Sequence, residues 1–262
     1  MKARKRFGQH FLTDQAVLRQ LLRYVAPQPG DRMLEIGPGH GELTEHLYGI
    51  PGRYVAVEID RDLAPFLKAR FDRLELINAD ILRVDLAQVM EGGEPWRVVG
   101  NLPYNISTPL LLLLLDHLPR IADMHFMLQR EVAARLAASP GSKAWGRITV
   151  LVQYHCEVEQ LFDVPPESFS PPPKVWSAVL RLVPRRQKLA LRDPASLDAV
   201  LRQAFSQRRK QLGNALQSLE IDWSRAGIDA RRRADDLSVG EFVDLANTLA
   251  SDAAVDPNAV GA

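Results

Sequence analysis

Residues 35–43 read EIGPGHGEL, and this stretch decides the fold of the chain. It ends a strand-like run, Arg32–Ile36, and leads into a helical pattern that begins near Glu42. Gly37, Gly39 and Gly41 allow a tight turn in which the backbone approaches a ligand without an intervening Cβ. Glu42 occupies the third glycine position of the GxGxxG dinucleotide fingerprint, so that match fails. A tight strand-to-helix turn without a ligand is the alternative interpretation.

Strand-like and helix-like runs alternate on both sides of this turn, after a first helix capped by Thr13 or Asp14. Such alternation predicts an α/β fold with a mostly parallel sheet and helices on both faces. Late strands around Ile148–Val158 and Ala178–Leu182 have no helix between them, which indicates an antiparallel edge. The other predicted strands are Arg32–Ile36, Tyr54–Ile59, Leu74–Asn78, Arg97–Val99 and Met124–Leu128, and further helices begin near Glu42 and Leu63 and cover Glu131–Ala138.

Beyond Pro184 the pattern becomes helical only. Asp193-Pro194 is typical of a helix start, and Ser238-x-x-Glu241 matches a capping box. We therefore predict a catalytic domain over residues 1–185, with a basic arm at 1–12, and a smaller all-helical domain over 186–262. The last dozen residues are expected to be frayed.

Composition bounds the class of protein. The 262 residues are 46% hydrophobic and 25% charged, which is typical of a globular chain. The single Cys156 and the absence of CxxC or HExxH motifs argue against a disulfide and against a metal site. The basic start lacks the apolar run of a secretory signal, and the six leucines Leu110–Leu115 fall short of the roughly 20 apolar residues that span a bilayer. We expect a cytoplasmic protein without a membrane segment.

A net charge of +1 conceals a strong asymmetry. Residues 171–233 contain fourteen Lys and Arg against five Asp and Glu, a net charge of +9, so the rest of the chain carries −8. Clustered cations of this kind favour a polyanionic partner, because phosphate contacts depend on Lys and Arg. A solvated surface is the alternative for the charges alone.

Two further acids follow strand ends. Glu58 ends the second strand, about 20 residues after the glycine turn, where a carboxylate can accept both ribose hydroxyls. Asp80 follows the third strand, where it can accept a hydrogen bond from an adenine amine. Each acid alone is more often a helix cap or a solvated loop residue. Together with the glycine turn they predict a nucleoside site in the crevice at the carboxyl ends of the strands.

The loop GNLPYNIS, residues 100–107, closes the same crevice after the fourth strand. Pro103 removes a donor and biases Leu102 away from helix, so the Leu102 carbonyl can face inward beside the Asn101 amide oxygen. Two acceptors that hydrogen-bond to an aryl amine favour its pyramidal form, whose lone pair can attack a sulfonium methyl. Tyr104 offers a face for a splayed base. An ordinary Asn-Pro turn with a core Tyr is the alternative.

These motifs resemble those of the ribosomal RNA adenine dimethyltransferase family. The likeness rests on RFGQHFL, EIGPGHGELT, VEIDRDL, NADIL, GNLPYNIST and FSPPPKVWSAVLRL, and it covers essentially the whole chain. It implies a Rossmann-like class I methyltransferase fold, S-adenosyl-L-methionine as the cofactor and structured RNA as the substrate. Within the family it is closest to enzymes that dimethylate two adjacent adenines in a hairpin near the 3′ end of small-subunit RNA. A pre-30S-like particle and a monomeric enzyme are expected.

The resemblance also implies residue roles. The cofactor residues map onto His10, Leu12, Gly37, Gly39, Glu58, Asp80 and Asn101, with His10 standing where many members have Asn. The catalytic set maps onto Asn101, Leu102, Pro103, Tyr104 and Phe169, where Phe169 would stack on a base opposite Tyr104 or, alternatively, cap the sheet edge. We assign RNA binding to the basic residues Arg4, Lys5, Arg6, Lys174, Arg208, Arg209 and Lys210.

Arg208, Arg209 and Lys210 would wrap one helical turn beside Phe205, with Arg208 near the apolar stripe of that helix. Simple amphipathicity does not place an arginine there, and an interface would explain it.

Two rival functions stay open at this point. One is an adenine methyltransferase that acts on large-subunit RNA or on DNA. The other is a ribosome-assembly or transcription factor that keeps the fold and binds RNA without catalysis. The intact NLPY loop and both cofactor acids speak against the second.

Overall fold

The computed structural model describes residues 9–104 and 106–249, and these form two units. Residues up to 134 and 156–184 make the first unit, whereas 135–155 and 185 onward make the second. The predicted boundary near residue 185 coincides with the last change of unit. The predicted continuous domain over 1–185 is wrong for 135–155, because Trp145, Val150 and Tyr154 of that segment pack in the apolar core of the second unit.

A seven-stranded sheet in the order β4-β3-β2-β5-β6-β9-β7 dominates the first unit. The five strands from β4 to β6 are parallel, and β9 runs antiparallel to both of its neighbours. The predicted mostly parallel α/β sheet with an antiparallel edge is confirmed. A short pair, β1 with β8, lies outside this sheet. The strands are β1 Phe11–Leu12, β2 Arg32–Ile36, β3 Arg53–Glu58, β4 Glu75–Asn78, β5 Trp96–Asn101, β6 Ile121–Gln129, β7 Cys156–Val164, β8 Phe169–Ser170 and β9 Ser177–Pro184.

Register brings the predicted site residues to one edge of the sheet. Ile36 of β2 pairs with Val57 of β3, and Glu58 at the end of β3 pairs with Asn78 of β4. On the other side, β5 ends at Asn101. Because parallel strands point the same way, their carboxyl ends meet at one edge, which is where open α/β sheets bind ligands.

Aspartate side chains cap two helices of the first unit, Asp14 at α1 and Asp85 at α4. Asp14 caps α1 by accepting a hydrogen bond from the Ala16 amide at 2.8 Å, as predicted. The helix predicted near Glu42 is only the four-residue α2, because the glycine turn extends almost to its start. The helices are α1 Gln15–Val25, α2 Thr44–Leu47, α3 Leu63–Arg70, α4 Leu86–Val89, α5 Ser107–Leu115 and α6 Arg130–Leu136, the last of which ends in the second unit.

The strand predicted around Ile148–Val158 is wrong over most of its length. Residues Arg147–His155 form helix α7, and β7 begins only at Cys156. The run is rich in β-branched residues, which favour strands. Val150 and Tyr154 are four residues apart and both join the core of the second unit, so packing of one helical face overrides propensity.

The second unit is helical around its own apolar core, which includes Leu201, Leu212 and Phe242. Two predicted helix starts are confirmed. Pro194 occupies the first turn of α8, and Ser238 and Glu241 form reciprocal backbone hydrogen bonds at the start of α11. The helices are α7 Arg147–His155, α8 Pro194–Ser206, α9 Leu212–Ala215, α10 Trp223–Ala226 and α11 Val239–Leu249. Within the described part of the chain, no helix is both long and apolar enough to span a membrane.

Candidate functional site: a cofactor cavity with an amine-binding loop

A cavity of about 300 Å³ opens at the carboxyl ends of the parallel strands. It is bordered by the glycine turn after β2, by the ends of β3 and β5, and by the segment that follows β4. The predicted site residues that line it are His10, Leu12, Gly37, Gly39, Glu58, Asp80, Asn101, Leu102, Pro103 and Tyr104. Thus the structure brings together all of the predicted cofactor residues and the whole Asn-Leu-Pro-Tyr loop.

The glycine turn needs its glycines. Gly37 and Gly39 both have positive φ, 71° and 62°, a region that other residues rarely adopt. A Cβ on Gly39 would also lie 3.0 Å from the Phe11 ring. The turn is held by a hydrogen bond from the Gly37 amide to the Val57 carbonyl at 2.9 Å. Its backbone therefore forms one wall of the cavity without side chains.

Glu58 is 3% exposed at the end of β3. Its carboxylate accepts hydrogen bonds from the Gly39 amide at 3.1 Å and from the Asp60 amide at 2.8 Å. Burial raises the pKa of Glu58 above its usual value, while these two bonds lower it. Each carboxylate oxygen has a second lone pair, so the group is oriented by the backbone and still able to accept from a ribose hydroxyl.

Asp80 is both a helix cap and a residue of the cavity wall, the two positions that the sequence left open for it. One of its oxygens, Oδ1, accepts from the Leu82 amide at 3.0 Å and caps the short 3₁₀ turn over residues 81–83. The residue also lines the cavity. Because a carboxylate can accept about four hydrogen bonds, the cap orients Asp80 without exhausting it.

Two acids that sequence reasoning did not assign to the site also line the cavity. Glu35 is 1% exposed and accepts hydrogen bonds from the Thr44 hydroxyl and the Tyr54 hydroxyl, both at 2.6 Å. Burial raises the pKa of Glu35 to about 7. Burial also raises the pKa of Glu42. The signal for Glu35 was its position, an acid at the end of a strand that is otherwise wholly buried.

The Asn101–Tyr104 loop leaves the sheet in an ordered way. The Leu102 amide donates to the Met127 carbonyl at 3.1 Å, which continues the β5–β6 ladder by one residue. The Asn101 amide nitrogen donates to the His10 carbonyl at 2.9 Å. With the nitrogen engaged on one side, the amide oxygen is turned the other way as an acceptor. The Tyr104 hydroxyl pairs with the Ser177 hydroxyl at 2.8 Å, which holds the ring at the cavity rim.

The segment around His10 packs across the same rim. The His10 ring stacks on Tyr104 with centroids 5.8 Å apart, and its Nδ1 lies 2.7 Å from the Pro171 carbonyl oxygen. The Phe11 ring lies 4.1 Å from that of His40. Hydrogen bonding of Gln9 to Asp60 at 3.1 Å ties the segment to the end of β3. The predicted RNA contacts Arg4, Lys5 and Arg6 lie outside the described residues.

Phe169 departs from the predicted arrangement. It is 3% exposed, belongs to the apolar core of the first unit and is not among the residues that line the cavity. The cause is strand alternation: β8 pairs with β1, so Phe169 turns inward opposite Leu12 whereas Ser170 faces solvent. Phe169 is therefore a core side chain of the first unit.

The structure places the predicted basic cluster of Arg208, Arg209 and Lys210 differently from the prediction. Helix α8 ends at Ser206, so Arg208, Arg209 and Lys210 lie in the following turn and not on a helical turn. The Arg208 guanidinium donates to Asp235 at 3.0 Å and to the Trp145 carbonyl at 2.8 Å. These contacts within the second unit explain an arginine beside apolar residues without an interface. Arg209, Lys210 and, in the first unit, Lys174 are exposed, as an RNA contact requires.

A parallel sheet with a glycine turn, acids at successive strand ends and an Asn-Leu-Pro-Tyr loop over one cavity defines an S-adenosylmethionine-dependent amino-methyltransferase with a Rossmann-like fold. The residues that line the cavity fit the cofactor, because buried carboxylates can accept hydrogen bonds from ribose hydroxyls and attract a cationic sulfonium. Residues 1–251 match the family model described as ribosomal RNA adenine dimethylase. The chain belongs to this family.

Individual relatives agree. The "Ribosomal RNA small subunit methyltransferase A" of Pseudomonas aeruginosa is 52% identical over 255 residues, which cover 95% of each chain. The protein of the same name from Saccharophagus degradans is 49% identical over 95% of each chain. Among solved structures, a dimethyladenosine transferase from Plasmodium falciparum is 25% identical and has a TM-score of 0.78 over 90% of this chain and 96% of its own. The 23S rRNA methyltransferase ErmE is 25% identical, with a TM-score of 0.72 over 91% of this chain and 99% of its own.

Proposed function

We propose that this protein dimethylates the exocyclic amines of two adjacent adenines in the 3′-terminal hairpin of small-subunit ribosomal RNA, within a precursor particle. The observation that carries the proposal is the Asn101–Tyr104 loop on the rim of the cofactor cavity. Identity near 50% to proteins named for the small subunit favours this substrate over the large subunit.

The proposed chemistry starts at the Asn101 amide oxygen. Because the amide nitrogen donates a hydrogen bond to the His10 carbonyl, the amide oxygen can accept a hydrogen bond from the exocyclic amine of adenine. The Leu102 carbonyl is the second acceptor. An aryl amine is a poor nucleophile while its lone pair is delocalised into the ring, and two acceptors stabilise the pyramidal form that can attack. These hydrogen bonds strengthen as the amine gains positive charge, so they act mainly in the transition state.

When it is bound, S-adenosylmethionine supplies a methyl group activated by a sulfonium. Glu58 is expected to accept from the ribose hydroxyls and Asp80 from the adenine amine of the cofactor. Glu35 and Glu42 also line the cavity, and in their ionised forms they add negative potential that favours a positively charged ligand. Tyr104 would stack on the target base, and its hydroxyl is occupied by Ser177, which fixes the ring plane.

The proposed substrate can be tested against two other nucleic acids, large-subunit RNA and duplex DNA. ErmE, a 23S rRNA methyltransferase by its title, has the same fold at lower identity, so large-subunit RNA is the second candidate. Purified protein should be incubated with labelled cofactor and either unmethylated small-subunit particles, large-subunit RNA or duplex DNA. We expect methyl transfer to the particles, with base-level mapping to two adjacent adenines. Asn101→Ala is the matched inactive control.

The same assay can contradict the proposal in distinct ways. Preferred methylation of large-subunit RNA or DNA would replace the proposed substrate and leave the site assignment intact. Binding of particles without any methyl transfer would favour an assembly factor that lacks catalysis. Undiminished transfer by Asn101→Ala would show that the loop is not the amine site.

A further inference from the structure

An exposed tryptophan lies beside the amine-binding loop. Trp176 is 43% exposed, whereas Trp96 and Trp145 are almost completely buried. It follows Lys174 and Val175, which are also exposed. Exposed apolar side chains that adjoin one another, here Val175 and Trp176, can mark an interaction surface. No role in the cofactor site accounts for Trp176, since it does not line the cavity.

The indole is held in place by Arg130. The Arg130 guanidinium carbon lies 5.5 Å from the ring centroid, and the Arg130 amide donates to the Trp176 carbonyl at 2.9 Å. The Arg130 side chain is 53% exposed, and the nearest Asp163 oxygen is 3.7 Å away. A cation therefore covers one part of the ring, and the exposed remainder is left for another group. Cation–π contact of this kind keeps an aromatic ring ordered at a surface.

The position of Trp176 relative to the target base follows from the chain. Its neighbour Ser177 begins β9 and pairs with the Tyr104 hydroxyl at 2.8 Å. Adjacent Cα atoms are about 3.8 Å apart, so the backbone of Trp176 lies one residue from the side chain that contacts Tyr104. Trp176 itself does not line the cavity. It is placed for a nucleotide that flanks the target adenine, not for the adenine itself.

We propose that Trp176 is a stacking platform for a nucleobase adjacent to the methylated adenine. Exposed aromatic surface beside an arginine guanidinium is the chemistry that recognises single-stranded nucleic acid, because every base has a π-face and every linkage a phosphate. This inference rests on the proposed RNA substrate. An apolar patch for a protein partner is the competing interpretation, and the Arg130 guanidinium over the ring, with the exposed Lys174 two residues earlier in the chain, favours the polyanion.

The test compares Trp176→Ala and Trp176→Phe with Tyr24→Ala. Tyr24 is 44% exposed near the end of α1, and the next residue, Val25, accepts from Arg97 at the start of β5. The control therefore removes an equally exposed aromatic that stacks on Phe162, with ring centroids 5.8 Å apart, and does not line the cavity. Two measurements are made on each variant: the KM and kcat for unmethylated small-subunit particles, and the affinity for a protein-free hairpin oligonucleotide with two adjacent adenines.

We expect Trp176→Ala to raise the KM and weaken hairpin binding by roughly 5- to 100-fold, since stacking on one aromatic contributes that much per base. Trp176→Phe should retain most of the affinity, and Tyr24→Ala should match the wild type. Calorimetry should show unchanged S-adenosylmethionine affinity in all variants. Hairpin binding should also quench the wild-type tryptophan fluorescence more than that of Trp176→Phe.

Two results would overturn the inference. Hairpin affinity and KM within twofold of wild type in Trp176→Ala would make the ring a solvated surface. A raised KM for particles with unchanged hairpin affinity would assign it to a protein contact. A wild-type enzyme that methylates no RNA would instead refute the proposed function, so the two failures are distinguishable.

Discussion

The buried carboxyl group of Glu35 makes the stability of the first unit depend on pH. Glu35 is fully enclosed, and its pKa is raised from 4.5 to about 7. The first cause is burial, which the hydrogen bonds from Thr44 and Tyr54 offset in part. The folded state therefore binds this proton more tightly than the unfolded chain. Stability is fully present below pH 4.5 and is lost as the pH rises through 7.

The size of the effect follows from the two pKa values. The difference between a pKa of about 7 in the folded state and 4.5 in the unfolded chain lowers the free energy of unfolding by roughly 2–3 kcal/mol between pH 5 and pH 8. For a unit of this size that corresponds to a fall of about 5–10 °C in the unfolding midpoint. Glu35→Gln removes the ionisation and keeps the side-chain volume. Between pH 5 and pH 8 the unfolding midpoint of this variant should therefore fall by about 5–10 °C less than the midpoint of the wild type. Burial also raises the pKa of Glu42 and Glu58, and these acids leave a residual slope in the variant.

Thermal unfolding without cofactor, followed from pH 5 to pH 8, measures the effect. Tyr54→Phe deletes one donor to the carboxylate, so we expect the pKa of Glu35 to rise further and the loss of stability to shift to higher pH. Glu75→Gln is the matched control, since Glu75 is an exposed acid at the amino end of β4, paired with Arg53. If Glu35→Gln shows the full wild-type dependence on pH, the reasoning is wrong.

Four further predictions concern catalysis, cofactor binding, stability and RNA binding. Asn101→Ala should lower methyl transfer by about 10²–10³-fold with a native circular dichroism spectrum, because it removes an acceptor that acts in the transition state; transfer within a few-fold of wild type contradicts the mechanism. Glu58→Gln should weaken S-adenosylmethionine binding by roughly 10- to 100-fold in calorimetry, the range for a hydrogen bond to a charged group, and unchanged affinity would remove Glu58 from the cofactor site. Arg208→Ala should lower the unfolding midpoint, because the Arg208 guanidinium donates hydrogen bonds to the Asp235 carboxylate and the Trp145 carbonyl. The double change Arg209→Ala with Lys210→Ala should instead reduce the slope of log RNA affinity against log salt by roughly 1.5–2; the reverse pattern would contradict both assignments.

Local signals predicted most of the first unit. The glycines of the turn, the proline of the loop and the acids after strands report conformations that a few neighbouring residues dictate. Gly37 and Gly39 have the positive φ that glycine allows, and Glu58, Asp80 and Asn101 line one cavity, as the sequence predicted. Parallel strands make this inference reliable, since carboxyl ends that follow one another in sequence meet at one edge in space.

The errors fall where distant residues decide. Arg147–His155 has the composition of a strand, but Val150 and Tyr154 gain more by packing in the helical core than the backbone loses in propensity. Phe169 turns inward because β8 pairs with β1, and a pairing of strands far apart in sequence leaves no local trace. Arg208 finds its partners through the same kind of long-range contact.

The fold class, the cofactor cavity and the amine-binding loop could be predicted from short motifs, because such motifs carry their own backbone geometry. Which carboxyls are buried and which aromatic rings remain in water could not be predicted this way, since both depend on how the whole chain packs. Burial raises the pKa of Glu35 against the hydrogen bonds from Thr44 and Tyr54, and Trp176 remains exposed beside Arg130. Burial and exposure are properties of the packed chain, in which residues remote in sequence set the solvent and the dielectric around each group.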